Sequence, residues 1–225
     1  KIWVSHQDLG RMEWNGTKEL AEQQALYFGF NFIVSRRRTK EGVEETLLDY
    51  ARRRKKWPSN KQRWCTSDFK RGPGGTVVTY ITKGIKVNQK VLYVFGFRSQ
   101  ESPARAKKQV LKLNTNLSTK KREVWEYCPI LDWTIDFVWG VIRANKLPYH
   151  SAYDLGMPRL SCVFCIFSPF DALVIAGINN PELLDEYIEV EKEIGHSFRD
   201  GFKIESVKEA IISGYLPEKI SDWVM

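Results

Sequence analysis

The sequence predicts an α/β fold: a mainly parallel twisted sheet flanked by helices, with a helical C-terminal part. Three observations carry this. A helical pattern over 17–28 is closed by Gly29 and followed at once by an apolar strand pattern over 30–34. "KVLYVFGF" at 90–97 is the near-continuous apolar run expected of a parallel strand covered on both faces. From residue 170 the chain reads as helices over 170–177, 181–195 and 205–213.

The elements follow in order. Ile2–Ser5 reads as a short strand emptying into the loop "SHQDLG", and Thr17 is placed to cap the helix that ends at Gly29. Val43, Leu47, Tyr50 and Arg54 recur at helical spacing, which predicts a helix over 43–56 stopped by Pro58. The polar "NKQRWCTSDFKRGP" reads as a functional loop or short helix, and 76–86 as a further helix. Beyond the 90–97 strand, Pro103 suits the first turn of a helix. Residues 107–122 are basic and low in hydrophobicity, the pattern of an exposed loop or frayed helix. "EVWEYCPI" is a strand, and Thr134 caps a helix to about Lys146. The long stretch "LPYHSAYDLGMPRLSCVFCIFSP" has no periodicity. The expected organisation is one α/β domain over 1–200 and a helical extension over 201–225. All three early strand patterns are expected in one sheet.

Composition sets the class. Among 225 residues, 43% are hydrophobic and 28% charged, which excludes disordered, collagen-like and coiled-coil chains. With no 18-residue apolar run and no basic-then-apolar leader, the expectation is a cytoplasmic chain without a membrane partner. Lysine and arginine total 35 against 27 acidic residues. The excess is uneven: 36–71 holds 13 basic and 5 acidic residues, whereas 181–225 holds 5 basic and 11 acidic. Such a field favours polyanions, whether nucleic acid, a nucleotide, or a sulfated or phosphorylated small molecule.

Four constellations carry chemistry. Cys162 and Cys165 have the spacing that lets two thiolates meet one metal, one cluster or each other. Iron–sulfur, zinc, and a redox dithiol or buried thiols all remain open at this level. Cys65, between Arg63 and Lys70, is the natural third ligand, while Cys128 at a strand end is more often plain core. In the loop after the 90–97 strand, Arg98 and Arg105 offer forked donors to sulfate or phosphate oxygens, and Glu101 is placed to orient either one. Asp8 and Gly10, with Glu13 nearby, form a turn suited to a ribose or a metal. Arg159 precedes the cysteine pair. His6 and His150 lie in loops, where a core role is less natural. No HExxH, GxSxG, Walker A or GxGxxG pattern is present, which removes zincin, α/β-hydrolase, P-loop and Rossmann dehydrogenase readings.

The ordered set "QDLGRMEW", "RWCTSDFK", "FGFRSQESPARA", "PILDW" and "YDLGMPRLSCVFC" resembles the phosphoadenosine phosphosulfate (PAPS) reductase family, within the adenine nucleotide α-hydrolase-like (PP-loop) group. The likeness covers roughly residues 1–200. It implies that Asp8, Gly10, Lys70, Arg98, Glu101, Arg105 and Arg159 contact ATP or a related adenine nucleotide. It also implies that Cys65, Cys162 and Cys165, with Cys128 as a candidate fourth, ligate a 4Fe–4S cluster, zinc being the alternative metal. The family's opening strand and Ser-Gly-Gly-x-Asp-Ser loop are not among these residues. The chain starts at Lys1, so it is expected to begin inside a longer one. Trp64-Cys65 stands where cluster-bearing reductases have adjacent cysteines, and the family's C-terminal Cys-Gly tail is also missing. The resemblance implies sulfur transfer or reduction, or substrate adenylation. Implied partners are a sulfonucleotide, DNA or tRNA, and a sulfur- or electron-donor protein. The competing expectation is a non-catalytic nucleic-acid- or partner-binding module with structural zinc.

Overall fold

The computed structural model describes residues 1–84, 88–218 and 220. In their described parts, residues 1–74 and 150–220 form one compact unit and residues 75–149 another.

In the first unit, β1 (Trp3–Gln7) and β2 (Asn31–Ser35) pair in parallel, from Trp3 opposite Asn31 to Gln7 opposite Ser35. Between them runs α1 (Thr17–Tyr27), and Gly29 at φ +69° lets the chain turn back into β2. Thr17 is not the cap. Gly16, at φ +90°, takes that position, and the Thr17 hydroxyl donates to the Trp14 carbonyl at 2.6 Å.

Helix α2 (Leu47–Arg54) starts later than the 43–56 periodicity predicts. Arg38 and Glu44 form an antiparallel bridge, which draws the preceding residues out of helical geometry. A capping box then fixes the start: the Thr46 hydroxyl accepts the Asp49 N–H, and the Asp49 carboxylate accepts the Thr46 N–H. Thr46→Ala is expected to cost about 1 kcal/mol in urea-unfolding free energy. The "NKQRWCTSDFKRGP" segment becomes α3 (Trp64–Thr66) and a π-helical turn over Ser67–Arg71. These run into α4 (Gly72–Ile81), which begins earlier than the 76–86 expectation. Residues 85 and 86 of that expectation lie outside the described residues.

Farther along the chain come α5 (Pro103–Ala106) and α6 (Ile135–Ala144), both in the second unit. The helical C-terminal part contributes a large share of the first unit's core through α7 (Phe170–Asn179), α8 (Pro181–Ile194) and α9 (Glu205–Ile212). Residues Ala172–Val174, Ala176, Val190 and Val207 are fully buried. Gly177 permits the close fit of α7 on its neighbours, because a Cβ there would stand 2.8 Å from Ile211 Cδ1 and 3.0 Å from Leu184 Cδ2. The expected 201–225 extension contributes α9, while 219 and 221–225 lie outside the described residues.

In the second unit, β3 (Gln89–Val94), β4 (Leu111–Leu113) and β5 (Arg122–Tyr127) form a sheet in the order β3-β5-β4. β3 runs parallel to β5 and β4 antiparallel. β4 lies where a loop or frayed helix was expected, because three residues with a central lysine leave too short an apolar alternation to register. β3 is not covered on both faces. Its burial alternates along the strand, and Leu92 and Val94 are 54% and 52% exposed. Thr134 and Ser102 cap α6 and α5 through the N–H groups of Phe137 and Arg105, and Pro103 occupies the first turn of α5.

The fold is α/β, with small, mainly parallel sheets and flanking helices. The single sheet expected to hold all three early strands is corrected. Among the described residues β1 pairs with β2 and β3 with β5, and no ladder joins the two sets. No helix is long and apolar enough to cross a membrane, as judged over the described residues.

Candidate thiol and anion site

The turn after β1 is built from its own side chains. Asp8, nearly buried, accepts the Gly10 N–H at 2.7 Å and both Nη2 and Nε of Arg36 at 2.7 and 3.0 Å. Burial alone would raise the Asp8 carboxyl, but the Gly10 N–H and the Arg36 guanidinium outweigh it and hold the group below its ordinary value. Gly10 has φ +60°, and a Cβ built on it meets no heavy atom within 4 Å, so its backbone stays open to a ligand. Asp8, Gly10, Glu13 and Arg36 line one side of an open cleft of about 630 Å³, a size within the usual range for small-molecule sites. His6, Asp8 and Glu13 bring ligand atoms within 4.8 Å of one another. His6 is already engaged by Glu13 at 2.9 Å and Asp8 by Arg36, so the guanidinium occupies the place a cation would take.

The cysteine loop is anchored to this turn. Glu13 and Cys162 form an antiparallel bridge, and the Val163 N–H donates to the Met12 carbonyl at 2.9 Å. Val163 and Phe164 are buried, which fixes the loop from beneath. Cys65 projects from α3, and the Lys70 ammonium, one helical turn on, donates to Cys162 Sγ at 3.7 Å. Burial and the neighbouring Cys162 raise the Cys65 thiol, and the same two causes raise Cys165 to about 11. Cys162, ahead of the opposing effect of burial and joined by Cys165 and Cys65, pushes the Lys70 ammonium upward. The structure therefore brings Cys65, Cys162, Cys165 and Lys70 into one electrostatic neighbourhood. Among the described residues, the three sulfurs do not all lie within 4.8 Å of one another. A single zinc at about 2.3 Å from each sulfur would draw them to about 3.8 Å apart. In an iron–sulfur cluster each thiolate binds a different iron, so wider spacing suits the cluster better.

Cys128 belongs to the second unit. It is buried, its N–H bonded to the Val110 carbonyl, and its thiol is raised by burial with Lys108 and Glu126 as charged neighbours. Arg98, Glu101 and Arg105 also belong to the second unit and are joined there. The Glu101 carboxylate accepts the Arg98 N–H at 2.9 Å and pairs with Arg105 Nη1, while Arg105 lies 4.6 Å over the Phe97 ring. Arg159 is half-buried in the loop before Cys162. His150 is a structural residue: its Nδ1 accepts the Ala152 N–H, and its Nε2 bonds the Asn15 carbonyl at 3.1 Å.

Sequence reasoning missed Tyr187 and Trp57. Tyr187 is fully buried, stacks on Trp57 at 5.2 Å and donates to Met12 Sδ at 3.4 Å. Burial first, then the thiols of Cys162, Cys165 and Cys65, keep its phenol protonated. On an amphipathic helix it carries only a core signal.

The model of the phosphoadenosine phosphosulfate reductase domain matches residues 12–167. The chain is 34% identical over 84 residues to the adenosine 5'-phosphosulfate reductase of Staphylococcus haemolyticus, covering 36% of this chain and 32% of that protein. It is 28% identical over 156 residues to an uncharacterised protein of Methanocaldococcus jannaschii, 68% of this chain and 28% of that one. These matches span about a third of the length of the curated relatives. A solved Candida auris PAPS reductase in a phosphate complex aligns with a TM-score of 0.46 and 18% identity, over 71% of this chain and 68% of that one.

Proposed function

The chain belongs to the phosphoadenosine phosphosulfate reductase family, and from that membership we propose an adenine-nucleotide-binding protein whose Cys65, Cys162 and Cys165 hold a 4Fe–4S cluster used in sulfur transfer or reduction. The observation that carries the reading is the thiol group itself: three cysteines from two distant segments in one field, with the Lys70 ammonium 3.7 Å from a sulfur. Core packing gives no reason to gather three thiols around a cation. When bound, the cluster supplies electrons and, with three protein thiolates, one iron open to an exogenous ligand.

The remaining steps belong to the chain. Lys70 offsets negative charge at Cys162 and presents its other N–H groups toward an incoming anion. The turn at Asp8 and Gly10 offers a backbone surface to the nucleotide, and Arg36 keeps Asp8 ionised. Arg159 supplies forked donors for phosphate or sulfate oxygens, and within the second unit Glu101 orients Arg98 and Arg105 for the same chemistry. The Staphylococcus haemolyticus relative is an adenosine 5'-phosphosulfate reductase by name, and a sulfonucleotide is the substrate class proposed here. A sulfur- or electron-donor protein is the matching partner.

Anaerobic purification followed by metal and acid-labile sulfide analysis tests the reading. About four irons and four sulfides per chain are expected. Stoichiometric zinc without iron would overturn it in favour of a structural zinc site. Neither metal would return the three thiols to ordinary buried side chains.

A further inference from the structure

The 13 basic residues of segment 36–71 do not act as one patch. Ion pairs sort them. Arg36 is held by Asp8 and Glu44, Arg37 and Arg53 by Glu45, Arg38 by Glu44, and Arg52 by Glu193. Lys70 is turned to the thiols. Among the described residues Lys40, Lys55, Lys56, Lys61 and Arg71 form no ion pair; of these, Lys61 and Arg71 stand near α3 with Arg63, whose guanidinium is bonded only to the neutral Asn60 oxygen while it stacks 4.5 Å over Phe167. These three, with Arg54, line a single open cleft of about 480 Å³ beside α3. Its lining has one carboxylate, Asp68, which already accepts the Tyr50 and Ser67 hydroxyls at 2.5 and 2.7 Å. Despite the penalty of burial, those hydroxyls and the nearby arginines keep it ionised. Three positive charges remain in excess on an open trough.

We propose that this cleft, lined by Arg54, Lys61, Arg63 and Arg71, docks the phosphodiester backbone of a nucleic acid. A small anion is held by donors converging in an enclosed pocket, whereas these four cations line an open cleft, which suits an extended polyanion. Trp64 lines the cleft but is only 4% exposed, so no aromatic face is offered for base stacking. Contact is therefore with phosphates and independent of sequence. A protein partner would favour an apolar centre with a polar rim, and apart from Trp64 every residue lining the cleft is polar or charged. The inference does not depend on what the thiols hold, since none of its four cations is a thiol neighbour in the sense that Lys70 is.

Anisotropy titration of the full chain with labelled duplex DNA, a folded RNA and polyglutamate, each at several salt concentrations, is the test. Binding to one or both nucleic acids should weaken steeply with salt, by counterion release. The double variant Lys61→Ala/Arg71→Ala should reduce the log–log salt slope by about 2 while melting at the wild-type temperature. Arg52→Ala, whose guanidinium is taken by Glu193, should leave the slope nearly unchanged. The inference is overturned by an absent salt slope, by a double variant with the wild-type slope, or by polyglutamate binding as tightly as the nucleic acids.

Discussion

Cys162→Ala in anaerobically prepared protein is expected to reduce iron and labile sulfide to trace levels and to abolish the broad absorption at about 400 nm that an iron–sulfur centre gives. Cys162 stands between the other groups: its sulfur receives the Lys70 N–H and is the largest charged neighbour of both Cys65 and Cys165. Removing it leaves two thiols whose ionisation burial disfavours. Local folding should survive, because the loop is held by the Val163 N–H to the Met12 carbonyl and by buried Val163 and Phe164 rather than by the sulfur. Far-ultraviolet circular dichroism therefore serves as the control. Cys65→Ala should behave like Cys162→Ala. Cys128→Ala should keep its iron, since Cys128 packs among the residues of the second unit. Iron retained by Cys162→Ala and lost from Cys128→Ala would overturn the ligand assignment.

Much of the local fold was legible because its signals are local. Cys162-x-x-Cys165, the glycine that turns α1 into β2, Pro103 in the first turn of α5 and Thr134 at the head of α6 are each decided within a few residues. What could not be read depends on partners far along the chain. Arg52 belongs to a dense basic run in sequence, yet its charge is met by Glu193, 141 positions away. Asp8, which the sequence offers to a ligand, is held by Arg36 across the β1–β2 pair. The 43–56 periodicity places the start of α2 too early because Val43 has helical spacing, while the Arg38–Glu44 bridge and the Thr46 cap decide the matter. The strand run at 90–97 suggested two covered faces, and hydrophobicity alone does not say whether a second layer exists. The same blindness applies to Tyr187, whose periodicity marks it as core without showing that the core it enters is the one behind the thiols.

Glu191→Ala is expected to give the largest loss of stability away from the cysteines, about 2–5 kcal/mol, or a fall of roughly 5–15 °C in Tm for a chain of this size. Glu191 lies on the inner face of α8 and is only 6% exposed. Its Oε1 accepts the buried Phe198 N–H at 2.5 Å, and both oxygens accept the Ile204 N–H, at 3.0 and 3.2 Å. These bonds tie both ends of the turn that links α8 to α9. No backbone carbonyl accepts either N–H among the described residues. Alanine would leave both donors buried without partners, and the penalty for an unmade bond exceeds the net gain from making one. The consequence reaches the site. Phe198 packs edge-on against Trp57 at 5.4 Å and Tyr187 at 6.0 Å, so loosening the turn slackens the aromatic group behind Cys162 and Cys165. Glu191→Gln keeps a carbonyl oxygen of the same reach and should lose less than half as much, because a neutral acceptor still satisfies at least one N–H. Urea unfolding of the three proteins distinguishes the accounts. Equal losses in both variants would assign the cost to the missing charge, and negligible loss in Glu191→Ala would mean that water or backbone rearrangement satisfies the turn without the carboxylate.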